Sequence, residues 1–110
     1  MSRGSSVSEQ TYFVLAALLD GPLHGHAILK RVVELSQDRV KLAVGTLYGA
    51  LDRLTDNGVI VVEKEEVVNG RKRRYFRITD DGRRLVEEEA LRMQQAASVV
   101  TRRTLGMTFS

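Results

Sequence analysis

At Gly58 the hydrophobic pattern changes its period, and few folds accommodate that change at this point. Before it, in the stretch Ala43 to Gly58, Leu47, Leu51 and Leu54 fall at i, i+4 and i+7, one stripe of an amphipathic helix. After it, Val59-Ile60-Val61-Val62-Glu63-Lys64-Glu65 begins β-branched and ends charged, the pattern of a strand that leaves the core for solvent. Asn69-Gly70 is a hairpin turn signal. Lys72 to Thr79 then returns, with Tyr75, Phe76 and Ile78 at the core end. The pattern predicts a helix followed directly by a long two-stranded hairpin, whose tip carries Arg71, Lys72, Arg73 and Arg74 with no acid between them.

Two further helices precede this pair. Ser6 and Glu9 have capping-box spacing, and a first helix runs from there to about Leu19. It is apolar nearly all round, so it is expected to be covered on two sides, by its own core and by a partner. Asp20-Gly21-Pro22 ends it. A second helix spans roughly His24 to Ser36, with Ile28, Leu29, Val32, Val33 and Leu35 as its buried set. Gln37-Asp38-Arg39 is a polar break, and Val40-Lys41-Leu42 alternates like a short extended piece. Asn57-Gly58 supplies a left-handed stop for the third helix.

The last helix is expected from about Asp80 to about Thr104, capped by Thr79 or Asp80. Val86, Ala90, Met93, Ala97, Val100 and Thr104 follow spacings of 4 and 3, a seam of coiled-coil type. A helix of about 37 Å, at 1.5 Å per residue, overhangs so small a core, so its second half needs something else to pack on. The fold class that results is α+β, mainly helical. Residues 6–79 form a winged helix-turn-helix domain, and residues 80–105 form a C-terminal dimerisation helix in the same compact unit.

Charge and chemistry then point to a partner. Residues 1–62 carry six basic and six acidic side chains, whereas residues 63–110 carry eleven and eight, so the net +3 belongs to the hairpin and last helix. The third helix presents Thr46, Tyr48, Gly49, Ala50 and Arg53 on the side away from its leucines. Gly45, Thr46 and Gly49 are small enough for close approach to a DNA backbone, and the helix's first amides favour a phosphate. Thr46 and Tyr48 can donate to phosphate oxygens, and Lys41 and Arg53 can reach phosphates on either side. In a winged helix-turn-helix this helix enters the major groove while the basic hairpin follows the backbone or the adjacent minor groove. Double-stranded DNA is therefore the expected partner, with sparse base readout.

Other chemistries find no support. There is no cysteine, which excludes a disulfide framework and a thiolate metal site and fits a cytoplasmic protein. His24 and His26 stand two apart, off a common helical face, so no metal is expected. No nucleophile elbow, oxyanion loop or nucleotide-binding loop is present, so neither an enzyme nor a cofactor is expected. No apolar run approaches a membrane span, and the first residues lack the apolar core of a signal peptide.

Four stretches together resemble the PadR family of bacterial transcriptional regulators: Thr11 to Leu15, Gly21 to His26, Gly45 to Leu51, and Gly70 to Gly82. The resemblance covers about Glu9 to Met93, and the length is similar to the family's short branch. It implies a homodimer in which the last helix packs on the partner's first helix, with Tyr12 facing Val86, Ala90, Met93, Ala97 and Val100. It also implies repression at a pseudo-palindromic operator, relieved by a small-molecule effector. At His26 the chain departs from the family's usual Tyr, which touches a DNA phosphate; an imidazole can donate there too, more strongly when protonated. Short members with a Trp in the last helix stack flat drugs there. This chain has no Trp, and a packed dimer core is expected instead. The alternative to DNA binding is a winged-helix protein-interaction module whose basic wing, beside Glu63, Glu65 and Glu66, binds an acidic partner.

Overall fold

The computed structural model describes residues 7–105. The elements run α1 (Glu9–Ala17), β1 (Leu23–His24), α2 (Gly25–Leu35), α3 (Val44–Asp56), β2 (Ile60–Val68), β3 (Arg71–Ile78) and α4 (Asp80–Thr104). This is a winged helix fold, mostly helical, with a small antiparallel sheet and a long last helix.

The leucine stripe of α3 is the centre of the core. Leu47 and Leu51 are fully buried in a cluster with Val14 and Leu15 of α1, Leu18 just after it, and Ile28 and Val32 of α2. Ile60, Phe76 and Ile78 close the core from the hairpin base, and Val86 closes it from α4. The α3 stop is as expected: Asn57 is the C-cap and Gly58 takes φ +77°, the left-handed value that only glycine adopts without cost.

The sheet differs from the expected hairpin in having a third strand. Leu23 and His24 pair antiparallel with Phe76 and Tyr75, giving the order β1-β3-β2. Two residues carry no alternation, so β1 leaves no mark in the sequence. Asn69 and Gly70 both have positive φ, as a tight type I′ turn requires. A bulge falls between Val62 and Lys64.

Several boundaries are corrected. Ser8, not Ser6, caps α1: its hydroxyl accepts from Thr11 N–H at 3.1 Å, while Ser6 lies outside the described residues. Helix α1 stops at Ala17, before Leu19. Leu35 is exposed rather than buried, because α2 ends there and the chain turns through left-handed Gln37 and Asp38. Val40–Leu42 forms no strand. Buried Ser36 holds this connection instead, accepting from Val40 N–H at 2.9 Å.

Thr79 caps α4 as expected, accepting from Gly82 N–H, and its hydroxyl donates to the Gly58 carbonyl at 2.8 Å. One threonine thus fixes α4 to the end of α3. The first half of α4 packs on α1, and the second half leaves the body of the molecule. Leu91, Met93, Val99 and Val100 are all exposed. No helix among the described residues is long and apolar enough to cross a membrane.

Candidate nucleic-acid interface

The start of α3 has no side-chain cap, because its N-cap position is Ala43. Its first amide N–H groups are therefore left for solvent or a ligand. Lys41, Gly45 and Thr46 are exposed around them, and nothing stands within 4 Å of where a Gly45 side chain would begin. Further along, the guanidinium of exposed Arg53 passes near Gly49, where a Cβ would meet it at 3.7 Å, an ordinary contact; Ala50, expected on this outer side, is instead buried with the leucines.

Tyr48 is positioned by a residue on another helix. Its ring rests on the backbone of Gly25, the first residue of α2; a Cβ at Gly25 would overlap the phenol oxygen and lie 2.8 Å from Cζ. The residue is nevertheless 45% exposed, and it lines the cleft beside the start of α2. The sequence singled out Tyr48 but not Gly25, since nothing local shows that two residues 23 apart touch.

Between the starts of α2 and α3 and the wing formed by β2 and β3 lies an open cleft of about 930 Å³. His26, Tyr48 and all four residues Arg71 to Arg74 line it, and no carboxylate does. The sequence-derived candidates thus divide into two groups. His26, Tyr48 and the wing cations share the cleft, whereas Lys41, Gly45, Thr46, Gly49 and Arg53 belong to α3 and its approach. The whole arrangement is a cationic, hydrogen-bond-donating surface with a concave side, suited to a polyanion.

His24, which the sequence offered no role, joins the parts. Its Nδ1 accepts a long hydrogen bond from Ala27 N–H, 3.4 Å, and so caps α2. Its ring meets the Tyr75 ring edge-on at 5.4 Å between centroids. Burial, then Arg73, then His26 push its pKa below the ordinary imidazole value, with Glu66 opposing. The neutral ring is also the form the cap needs, since a protonated Nδ1 cannot accept.

The wing contains a second pattern. Arg74 reaches Glu65 at 3.1 Å and Lys72 reaches the same carboxylate at 3.7 Å. Arg77 pairs with Glu63 at 2.9 Å, and Glu66 takes Tyr75 Oη at 2.9 Å with Lys64 at 3.9 Å. The three wing acids are all engaged within the hairpin.

Away from the wing, between α1 and α4, Tyr12, Phe13 and Met93 line an apolar hollow of about 320 Å³ with Val7 and Glu9. Tyr12 and Met93, expected at a dimer interface, are thereby brought together. Val86 is packed into its own chain's core and leaves little surface for a partner. Ala90 is half-buried, and Ala97 and Val100 are exposed. Among the described residues no group of three or more His, Cys, Asp or Glu could hold a metal ion.

Known proteins share this fold. The model of the transcriptional regulator PadR-like family matches residues 14–88. Bacillus subtilis PadR, solved in complex with operator DNA, is similar at 23% identity with a TM-score of 0.62, over 70% of this chain and 44% of that one. BpsR of Bordetella bronchiseptica, whose DNA binding is regulated by 6-hydroxynicotinic acid, is similar at 24% identity with a TM-score of 0.68, over 91% and 69% of the two chains. A 37.1 kDa protein in transposon TN4556 of Streptomyces fradiae is 44% identical over 62 residues, 56% of this chain, but the chain spans only 16% of that protein's length.

Proposed function

The chain belongs to the transcriptional regulator PadR-like family, whose members are not enzymes, and on that premise we propose that it is a homodimeric repressor that binds a pseudo-palindromic operator. The observation that carries this reading is the cleft between α2, α3 and the wing, lined by donors and cations and by no carboxylate. Helix α3 enters the major groove with its uncapped amides, Thr46 and Tyr48 toward phosphates. Lys41 and Arg53 flank it, Gly45 and Gly49 allow close approach, and His26 donates from α2. The basic wing tip follows the backbone. Two copies join through Tyr12 and the α4 seam. A small-molecule effector relieves repression, as 6-hydroxynicotinic acid regulates the similar BpsR. The protein works in the cytoplasm, where the operator is.

Phosphate contacts dominate this surface, so affinity falls steeply with salt. The test is a gel shift with DNA upstream of the chain's own gene. Binding is expected at low salt. Tyr48→Ala combined with Arg73→Ala weakens specific and random duplexes alike, and each lost phosphate contact lowers the salt slope by about one. No binding at low salt, or binding indifferent to the double substitution, overturns the proposal. Retention of an acidic protein through the wing without DNA binding favours a protein-interaction module instead.

A further inference from the structure

The wing's cations are not equivalent. Side chains alternate between the two faces of a strand. Arg74 and Lys72 therefore share one face of β3, and Arg71, Arg73 and Tyr75 share the other. Glu65 stands directly across from Arg74 in the register and holds both cations of the first face on one carboxylate. Glu66 stands across from Arg73, but its carboxylate is taken by Tyr75 and Lys64. Among the described residues, Arg71 and Arg73 make no ion pair.

We propose that the wing sorts its own charge: Arg71 and Arg73 carry its phosphate contacts, and Glu65 is a positioning residue that holds Arg74 and Lys72 back and so restrains sequence-independent attraction to DNA. This rests on the DNA-binding reading above and goes beyond it. The physical basis is counterion exchange. A cation that binds phosphate displaces a counterion from the duplex, but one already neutralised by a carboxylate must surrender that partner, which then takes up an ion of its own. Its net contribution to the salt slope is small. The Glu65 pairs are exposed and individually weak, so the effect is read in slopes rather than in folding.

The experiment is anisotropy with a random-sequence duplex between about 50 and 200 mM salt, where the slope is about 0.9 per phosphate neutralised. Arg71→Ala and Arg73→Ala are each expected to lower the slope by about 0.9, and Lys72→Ala and Arg74→Ala by less than half of that. Glu65→Gln steepens the slope, and adding Lys72→Ala and Arg74→Ala to it abolishes the gain. Equal losses for all four cations in the wild-type background overturn the sorting. So does a Glu65→Gln gain that survives removal of both cations, since that gain is only relief of repulsion. Failure of the wild-type protein to bind any duplex rejects the DNA-binding reading itself, a different result from equal slopes.

Discussion

Two glycines show how a missing side chain can serve different ends. Gly82 lies against the Val59 carbonyl, and a Cβ there would also be 2.8 Å from Ile78 Cγ1. Backbone on one side and core on the other cannot yield, so Gly82→Ala is expected to cost about 1–3 kcal/mol in urea unfolding. The nearest atoms to a Gly25 side chain belong to the end of the half-exposed Tyr48 ring, which can swing out. Gly25→Ala should therefore lose less stability than Gly82→Ala but weaken DNA binding as Tyr48→Ala does; an unfolded Gly25→Ala protein would contradict this. His24 gives a pH prediction. Its pKa is lowered in the folded protein, first by burial and then by Arg73 and His26, from the ordinary 6.5. Below 6.5 the unfolded chain takes up a proton that the folded chain refuses. The His24 contribution is thus complete above that value and is lost as pH falls through the folded pKa. His24→Asn keeps a cap acceptor without a titrating group. It should flatten the pH dependence of Tm on the acid side, and an unchanged profile would assign that dependence elsewhere.

At the scale of elements, α4 and the wing follow one logic: each begins in the core and ends in solvent. In the wing the change is chemical, from Ile60, Phe76 and Ile78 to a charged tip. In α4 it is not, since Met93, Val99 and Val100 remain exposed and apolar along its second half. The seam through Ala90, Met93, Ala97 and Val100 is left largely uncovered by its own chain, and Met93 also lines the hollow beside Tyr12 and Phe13. Ala97→Glu places a charge in that seam while touching nothing in the chain's own core. It is expected to give monomer or aggregate by light scattering, with α3 and the wing still folded. A dimer of unchanged stability would remove the seam from the interface.

As a whole the molecule is long for its size. It measures 60 × 30 × 22 Å, and its radius of gyration of 16.3 Å exceeds the roughly 13 Å of a compact chain this long. The excess is the overhang of α4 and the wing. If the overhanging helix is buried by a second copy, dimerisation contributes to stability, and Tm should rise with protein concentration by mass action. A concentration-independent Tm would argue for a stable monomer. In the dimer the two α3 helices should meet half-sites about one helical turn apart, or a multiple of it, as footprinting would reveal.

What the sequence by itself determined is whatever local chemistry encodes. Helix α4 runs from Asp80 to Thr104 because Thr79 caps it and nothing inside breaks it. The wing turns at Asn69-Gly70 because those residues tolerate positive φ. The leucine stripe of α3 is buried because its spacing matches one helical face. The exposure of Thr46, Tyr48 and Arg53 was legible for the same reason, since they are among what that stripe leaves outside. Tertiary structure alone decided the rest: the pairing of β1 with β3, the seat of Tyr48 on Gly25, the cap and stack of His24, and the division of the wing cations around Glu65. Each of these depends on register or contact between separate segments. Spacing within one helix or strand carries no information about which residue of another segment it will meet.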